Sequence, residues 1–128
     1  MCVGPLDVRL PKSGESDDKI ETVVQPDVFI VCDRGKTDER GVRGAPDWLA
    51  EILSPSTASY DRCVKIPVYE RAGVPEVWLI HPTDRTLVIY RLEDGRYGRP
   101  IYQELEGKTL LSAVPSVSID WDRIMTRL

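Results

Sequence analysis

The sequence predicts a single α/β domain with a mixed β-sheet, a crossover helix and a C-terminal β-hairpin. Residues 48–53 are apolar at every position but one, which is typical of a strand covered on both faces. A helix-like segment follows, from a Ser-Pro-Ser-Thr turn to Gly73, and leads into a second apolar run at residues 77–80. Since a crossover of this length joins parallel strands, the two runs are expected to pair in parallel.

The first part of the chain predicts further strands separated by polar loops. Residues 6–10 alternate apolar and charged side chains, which indicates a half-exposed strand, and residues 11–19 are a polar loop. Residues 20–24 lead through Gln25-Pro26-Asp27 into a buried strand at residues 28–32, because proline is tolerated at the start of a strand. Residues 33–44 combine glycines with many charges and predict a mobile loop.

The second part predicts a kinked helix, a hairpin and a short C-terminal element. Pro67 disfavours a helix interior, so the crossover helix is expected to kink there or to restart near residue 66. Strands at residues 86–92 and 97–105 flank an Asp-Gly turn, the strongest short hairpin signal. A short strand or turn at residues 117–121 and one helical turn are expected to follow.

Composition limits the classes of protein that the chain can represent. At 128 residues it is long enough for one core, and we expect one domain over residues 1–128. No apolar stretch is long enough to span a bilayer and no signal peptide is recognisable, so we expect a cytoplasmic protein without membrane contact. The net charge of −4 argues against a broad basic face for nucleic acid, but a metal ion can reverse the sign locally.

Cysteine and histidine usage narrows the available chemistry. The three cysteines, Cys2, Cys32 and Cys63, are far apart in the sequence, which favours reduced, packed thiols over disulfides or a CxxC metal site. His81 is the one histidine, which excludes His-rich zinc sites, HExxH hydrolases and two-histidine phosphodiester chemistry within one chain. Carboxylates, lysines and a hard metal ion therefore form the expected catalytic groups.

Two acids are candidates for a shared site. Glu51 interrupts the buried run, and a buried carboxylate needs a partner such as a metal ion or an arginine. If strands 28–32 and 48–53 pair as an antiparallel hairpin, Asp27 lies near Leu53, with Glu51 as its diagonal neighbour on the same face. A slip of one residue would place the acids on opposite faces, and Asp27 can also serve as a turn cap.

The order of motifs resembles a known family. The segments QPDVFIVCD, GAPDWLAEILSPSTASYDRCVKIPVYERAGVPEVWLIHP and YRLEDGRY, within residues 4–111, resemble the Uma-two family of predicted restriction endonucleases in the PD-(D/E)XK nuclease superfamily. The resemblance implies a restriction-endonuclease-like αβββαβ core, with a strand acid, a strand glutamate and a lysine moved to the following helix. On this sequence the three residues are Asp27, Glu51 and Lys65, and Leu53 occupies the usual lysine position.

The resemblance also implies a metal ion and a substrate. The ion is Mg²⁺, with Mn²⁺ as an alternative, held by Asp27 and Glu51, and the reaction is hydrolysis of phosphodiester bonds in DNA. Two carboxylates leave coordination positions for water and phosphate, and Lys65 would orient the nucleophile or stabilise developing charge. Two other interpretations stay open. Lys65 is spaced for a surface ion pair with Asp61, and Tyr69 fits core packing as well as a phosphate contact.

Members of the family carry an N-terminal helical region that has no counterpart here before residue 6. We therefore expect one sheet face to lack its cover, and the chain to self-associate as a homodimer or to have an impaired site. DNA is the expected partner. The alternatives are a catalytically inactive nuclease-fold module that acts through dimerisation or through protein or DNA association, and a hydrolase of another phosphodiester or phosphoanhydride.

Overall fold

The computed structural model describes residues 2–3, 7–11, 23–56 and 61–125. Within them the strands are β1 (Cys2–Val3), β2 (Val8–Arg9), β3 (Val23–Val24), β4 (Val28–Ile30), β5 (Thr37–Asp38), β6 (Gly41–Arg43), β7 (Trp48–Ile52), β8 (Glu76–His81), β9 (Thr86–Glu93), β10 (Arg96–Tyr97), β11 (Ile101–Glu104), β12 (Lys108–Leu110) and β13 (Ser118–Asp120). The α-helices are α1 (Ile66–Ala72) and α2 (Trp121–Met125), and a 3-10 turn covers Arg34–Lys36.

The central sheet is mixed, as predicted. Among the described residues it has seven strands in the order β1-β4-β7-β8-β9-β10, with β11 also paired to β9. β7 and β8 are parallel, whereas β4 and β7, and β8 and β9, are antiparallel. The helix α1 lies between the two parallel strands in the sequence. The carboxyl ends of β7 and β8 therefore meet at one end of the sheet.

Side chains of the central strands alternate between two hydrophobic cores, one on each face. The core on the face covered by α1 includes Leu49, Ile66, Tyr69, Val77, Leu79 and Val88. The core on the opposite face includes Trp48, Trp78, Leu87, Ile89, Leu111 and Trp121. In the second core the rings of Trp48 and Trp78 meet edge to face at 5.2 Å.

The expectation of an open sheet face is wrong for the strands that carry these cores. The C-terminal segment, through Leu111, Trp121 and the partly buried Val114 and Val117, covers the face opposite α1. Burial of these apolar side chains provides the stabilisation that a separate helical layer would supply. Self-association was expected because of an uncovered sheet face. The covered face no longer supports it, and the homodimer stays a prediction.

The α-helical part of the crossover begins at Ile66 and ends before Gly73. A π-helical turn, Asp61–Lys65, precedes α1, and Pro67 occupies the first turn of the α-helix, where its missing N–H breaks no hydrogen bond. Gly73 ends the helix with a left-handed φ of 83°, which glycine adopts at little cost. The first part of the predicted helix, residues 57–60, lies outside the described residues.

The C-terminal hairpin is formed by β9 and β10 around Asp94 and Gly95. Both turn residues have positive φ, 52° and 81°, as a two-residue type I′ turn requires. The returning strand is interrupted before Ile101, because the register changes from Tyr97 opposite Leu92 to Ile101 opposite Ile89. A single extra residue between the two ladders accounts for the change, as in a β-bulge. Further on, β13 and α2 match the predicted final strand and helical turn.

Residues 33–44, predicted as a mobile loop, contain the strands β5 and β6. Among the described residues these two strands belong to a second, four-stranded sheet in the order β3-β2-β6-β5. Gly41 permits this close packing, because a Cβ there would lie 2.4 Å from the carbonyl oxygen of Asp7. The predicted half-exposed strand is instead buried at Val8, Arg9 and Leu10. The remainder of the predicted N-terminal elements, residues 6 and 12–22, lies outside the described residues.

The prediction of packed thiols is wrong for both cysteines whose side chains the structure describes. Cys32 and Cys63 are exposed. β4 ends at Ile30, two residues before Cys32, because Asp47 bridges the strand end: its backbone N–H donates to the Ile30 carbonyl and its carboxylate accepts from the Cys32 N–H.

Within the described residues, no helix is both long and apolar enough to cross a bilayer.

Candidate active site

Glu51 lies near the carboxyl end of β7, with 3% of its surface exposed. Its side chain points to the face covered by α1, the same face as Leu49 and Leu53. Tyr69 Oη donates a hydrogen bond to Glu51 Oε1 at 2.5 Å. Lys65 Nζ lies 3.6 Å from Glu51 Oε2. The buried carboxylate is therefore partnered by a cation and a hydroxyl from the crossover segment.

The spacing of Lys65 and Tyr69 explains why both reach the same carboxylate. Lys65 ends the π-helical turn and Tyr69 lies four residues later in α1, so the two side chains share one face of the helical segment. The Tyr69 side chain is fully buried. Tyr69 thus packs in the core and also orients Glu51. The four-residue spacing was the available signal for that hydrogen bond, which sequence reasoning missed.

Lys65 forms an ion pair with Glu51, another predicted site residue. Its side chain is 31% exposed, whereas that of Glu51 is 4% exposed. Lys65 therefore spans the boundary between the buried carboxylate and solvent. The alternative pairing with Asp61 concerns a side chain outside the described part of the structure.

Asp27 precedes β4 by one residue and lies beside the end of β7. The ladder pairs Val28 with Ala50 and Phe29 with Leu49, and the same register continued by one residue sets Asp27 opposite Glu51. The predicted offset, with Asp27 near Leu53 and Glu51 diagonal, is therefore wrong by two residues along β7. Asp27 is exposed, and its Oδ2 accepts a hydrogen bond of 2.8 Å from the Ile52 N–H.

The three predicted residues differ in burial. Asp27 is exposed, Lys65 is half-buried and Glu51 is buried. Among the described residues no group of three or more histidine, cysteine or acidic side chains is arranged around a metal position. Asp27 and Glu51 are the two candidate oxygen donors at this end of the sheet. Oxygen donors of this kind, with positions left for water, fit Mg²⁺ or Mn²⁺ better than a softer ion.

A second buried acid lies on the opposite face of the same sheet. Glu76, at the start of β8, is 1% exposed. Its Oε1 accepts from the Ala113 N–H and its Oε2 from Trp78 Nε1, both at 2.8 Å. Arg91 Nε lies 3.7 Å from Oε2. These contacts join β8 to the C-terminal segment, away from Glu51.

Comparison with known proteins agrees with the predicted fold. The profile of the Uma2 family, described as "Putative restriction endonuclease", matches residues 4–122. A solved structure described as "a putative nuclease belonging to DUF820", from Anabaena variabilis ATCC 29413, is similar with a TM-score of 0.61 and 22% sequence identity. The alignment covers 81% of this chain and 60% of that chain, and it shows a shared fold.

No curated protein matches the sequence. The family profile nevertheless extends over nearly all of the chain, from residue 4 to residue 122. The resemblance seen in the sequence motifs is confirmed, and the chain belongs to the Uma2 family, the described group of restriction-endonuclease-like proteins.

Proposed function

We propose that this protein is a metal-dependent endonuclease that hydrolyses phosphodiester bonds in DNA. The observation that carries the proposal is the contact between buried Glu51 and half-buried Lys65, beside Asp27 at the end of β7. Membership of a family described as restriction endonucleases supports the same reaction class.

Asp27 and Glu51 would hold the metal ion, Mg²⁺ or Mn²⁺. When bound, such an ion lowers the pKa of water and stabilises negative charge on a phosphoryl group. The exposed Asp27 is the acid that an incoming ion meets first, and Glu51 lies behind it. A positive ion at this position also offsets the charge of a protein whose net charge is −4, so DNA approaches without a broad basic face.

Lys65 and Tyr69 have separate roles around Glu51. The Lys65 ammonium, partly exposed and 3.6 Å from Glu51 Oε2, is placed to orient an attacking water or to donate to a phosphate oxygen. Tyr69 is fully buried, so it acts through Glu51: its hydroxyl fixes the direction of the carboxylate. A carboxylate held in one direction offers a metal ion a fixed position.

The test combines metal binding with cleavage. Mg²⁺ and Mn²⁺ binding would be measured by calorimetry, and nicking of supercoiled plasmid would be followed in the same buffers. We expect Glu51→Gln and Asp27→Asn to weaken metal binding and to slow nicking by roughly 100-fold or more. Glu39→Gln, which changes an exposed acid in the turn between β5 and β6, is the matched control and should behave as wild type.

A wild-type protein that binds neither ion at millimolar concentration and leaves plasmid intact would contradict the proposal. The protein would then be a nuclease-fold module that acts by association. Nicking that survives in Glu51→Gln would place the reaction elsewhere on the chain.

A further inference from the structure

A cavity of about 410 Å³ opens beside the candidate site. It lies where β7 and β8 end and β9 begins, on the sheet face that carries Glu51. Its lining includes Leu53, Arg62, His81, Thr86, Val88 and Tyr102. Leu53 follows Glu51 by two positions, about 7 Å along an extended chain, so one wall of the cavity continues the strand that carries Glu51.

The walls of the cavity combine an apolar floor, an aromatic ring and separate polar groups. Leu53 and Val88 are buried and form the apolar part. Tyr102, on β11 opposite Val88, is 62% exposed and presents its ring at the opening. Arg62 adds a cation on the helical side. The lining suits a ligand with a flat apolar ring and an anionic group.

Polar groups with both donor and acceptor character complete the lining. His81 and Thr86, paired across the β8–β9 ladder, offer an imidazole and a hydroxyl, and Asp84 offers a carboxylate. Together they can hydrogen-bond the edge of a nucleobase, which carries amino, imino and carbonyl groups. An inorganic phosphate would use Arg62 but would leave the apolar floor and the Tyr102 ring without a contact.

Arg62 and Tyr102 both affect the pKa of the neighbouring Tyr90 side chain. Burial raises the pKa of the Tyr90 hydroxyl, Tyr102 raises it further and the positive charge of Arg62 lowers it. Both residues are therefore close enough to Tyr90 to interact electrostatically with it. Both residues also line the same cavity, so one nucleotide can contact the Tyr102 ring with its base and the Arg62 guanidinium with its phosphate.

We propose that this cavity binds one unpaired nucleotide of a DNA strand, with the base against Tyr102 and the phosphate at Arg62. The proposal rests on DNA being the substrate of the adjoining site, and it adds a preference for single-stranded or locally unpaired DNA. Arg62 precedes Lys65 by three residues in the same helical turn, so both cations follow one strand. The bound nucleotide lies next to the phosphate that is cleaved.

The experiment measures binding without metal, so that it does not depend on cleavage. Fluorescence anisotropy in EDTA would compare a labelled single strand of about 12 nucleotides with an abasic chain of the same length and with a blunt duplex. We expect wild type to prefer the single strand over both. Tyr102→Ala should weaken single-strand binding roughly fivefold or more, because base stacking on an aromatic ring is lost, and should leave abasic binding unchanged.

Three further variants define the roles of the side chains. Tyr102→Phe keeps the ring and should bind as wild type. Arg62→Ala removes the phosphate contact and should weaken binding of the single strand and of the abasic chain alike. Ile101→Ala is the matched control, because Ile101 is exposed on the same strand but pairs with Ile89 of the other core.

The inference is overturned if wild type binds no single strand, if it binds single-stranded and abasic chains equally, or if Tyr102→Ala binds as wild type. The plasmid assay separates these results from the proposed function. Nicking with an unaffected Tyr102→Ala would leave the endonuclease in place without the nucleotide site. Tyr102-dependent binding without nicking would keep the nucleotide site and contradict the endonuclease.

Discussion

Two buried glutamates on neighbouring parallel strands differ in the groups that they contact. Glu76 accepts hydrogen bonds from a backbone N–H and an indole N–H and lies against an arginine. Glu51 contacts a tyrosine hydroxyl and a lysine that is 31% exposed. The Trp78 and Ala113 donors belong to the folded core and cannot leave without unfolding it, whereas the lysine can turn towards a ligand.

The position of each acid in the sheet strengthens the contrast. Glu76 begins β8 and connects it to the C-terminal segment, so its contacts link parts of the chain far apart in sequence. Glu51 is near the end of β7, beside the exposed Asp27. Burial alone therefore does not identify a functional acid. The donors that join Glu76 to the C-terminal segment, and the position of Glu51 beside Asp27, distinguish the structural acid from the catalytic candidate.

The largest expected effect separates the two glutamates by stability. Glu76→Gln should lower the free energy of unfolding by about 3 kcal/mol, because the amide NH₂ group would face either the Ala113 N–H or the Trp78 indole. Glu51→Gln should cost about 1 kcal/mol, since the amide oxygen still accepts from Tyr69. Urea denaturation of both variants measures the difference.

The comparison would fail if Glu51→Gln proved the more destabilising of the two. Metal binding provides the second readout. Glu76→Gln, measured at a temperature where it is folded, should bind metal as wild type does.

Lys65→Met tests the half-buried cation beside Glu51. It should cost about 2 kcal/mol, because the buried Glu51 carboxylate loses its cation, and should slow plasmid nicking by roughly 100-fold. Lys65→Arg is the control: it should recover most of the stability by pairing with Glu51, while its planar group restores little of the nicking rate. Equal nicking by wild type and Lys65→Met would remove Lys65 from the reaction.

Tyr69→Phe tests orientation without loss of volume. The variant keeps the ring in the core but removes the hydrogen bond to Glu51, so we expect about 1 kcal/mol of destabilisation and roughly tenfold slower nicking. As a positioning residue, Tyr69 should also affect the pH dependence of nicking, which a purely structural residue would leave in place. An unchanged pH profile together with the stability loss would assign Tyr69 to packing alone.

The smallest effect concerns an acid in the second sheet. Hydrogen bonds from the buried Arg9 hold the pKa of Asp38 below its usual range. Because the folded-state pKa is the lower one, the pair stabilises the fold above the unfolded pKa of about 3.9 and loses that contribution as the pH falls through the folded value. The urea midpoints of wild type and Asp38→Asn should therefore differ at about pH 6 and converge towards about pH 2. A difference that persists at low pH would contradict this account.

Local signals made much of the central sheet predictable. The parallel pair β7 and β8, the stop at Gly73 and the turn at Asp94 each depend on short-range backbone preferences that the sequence states directly. The candidate site has a different origin, since Asp27, Glu51 and Lys65 come from the family resemblance. The structure brings Glu51 and Lys65 together and sets Asp27 beside them.

Other features depended on contacts between distant segments. Arg9 is buried because β2 lies inside the second sheet, where Asp38 meets its charge. Cys32 is exposed because Asp47, fifteen residues later, ends the strand before it. Neither outcome follows from the alternation of polar and apolar residues, which was the only local guide.

Local patterns in the sequence were enough to predict the strand, helix, strand order of the core and a carboxylate in a buried strand. Tertiary structure decided which partners that carboxylate would have, because the register of β4 on β7 and the docking of α1 select them. It also decided that the C-terminal segment covers the second face, through Leu111 and Trp121. Periodicity fixes which face a side chain occupies, but the partner that covers that face depends on packing of the whole chain.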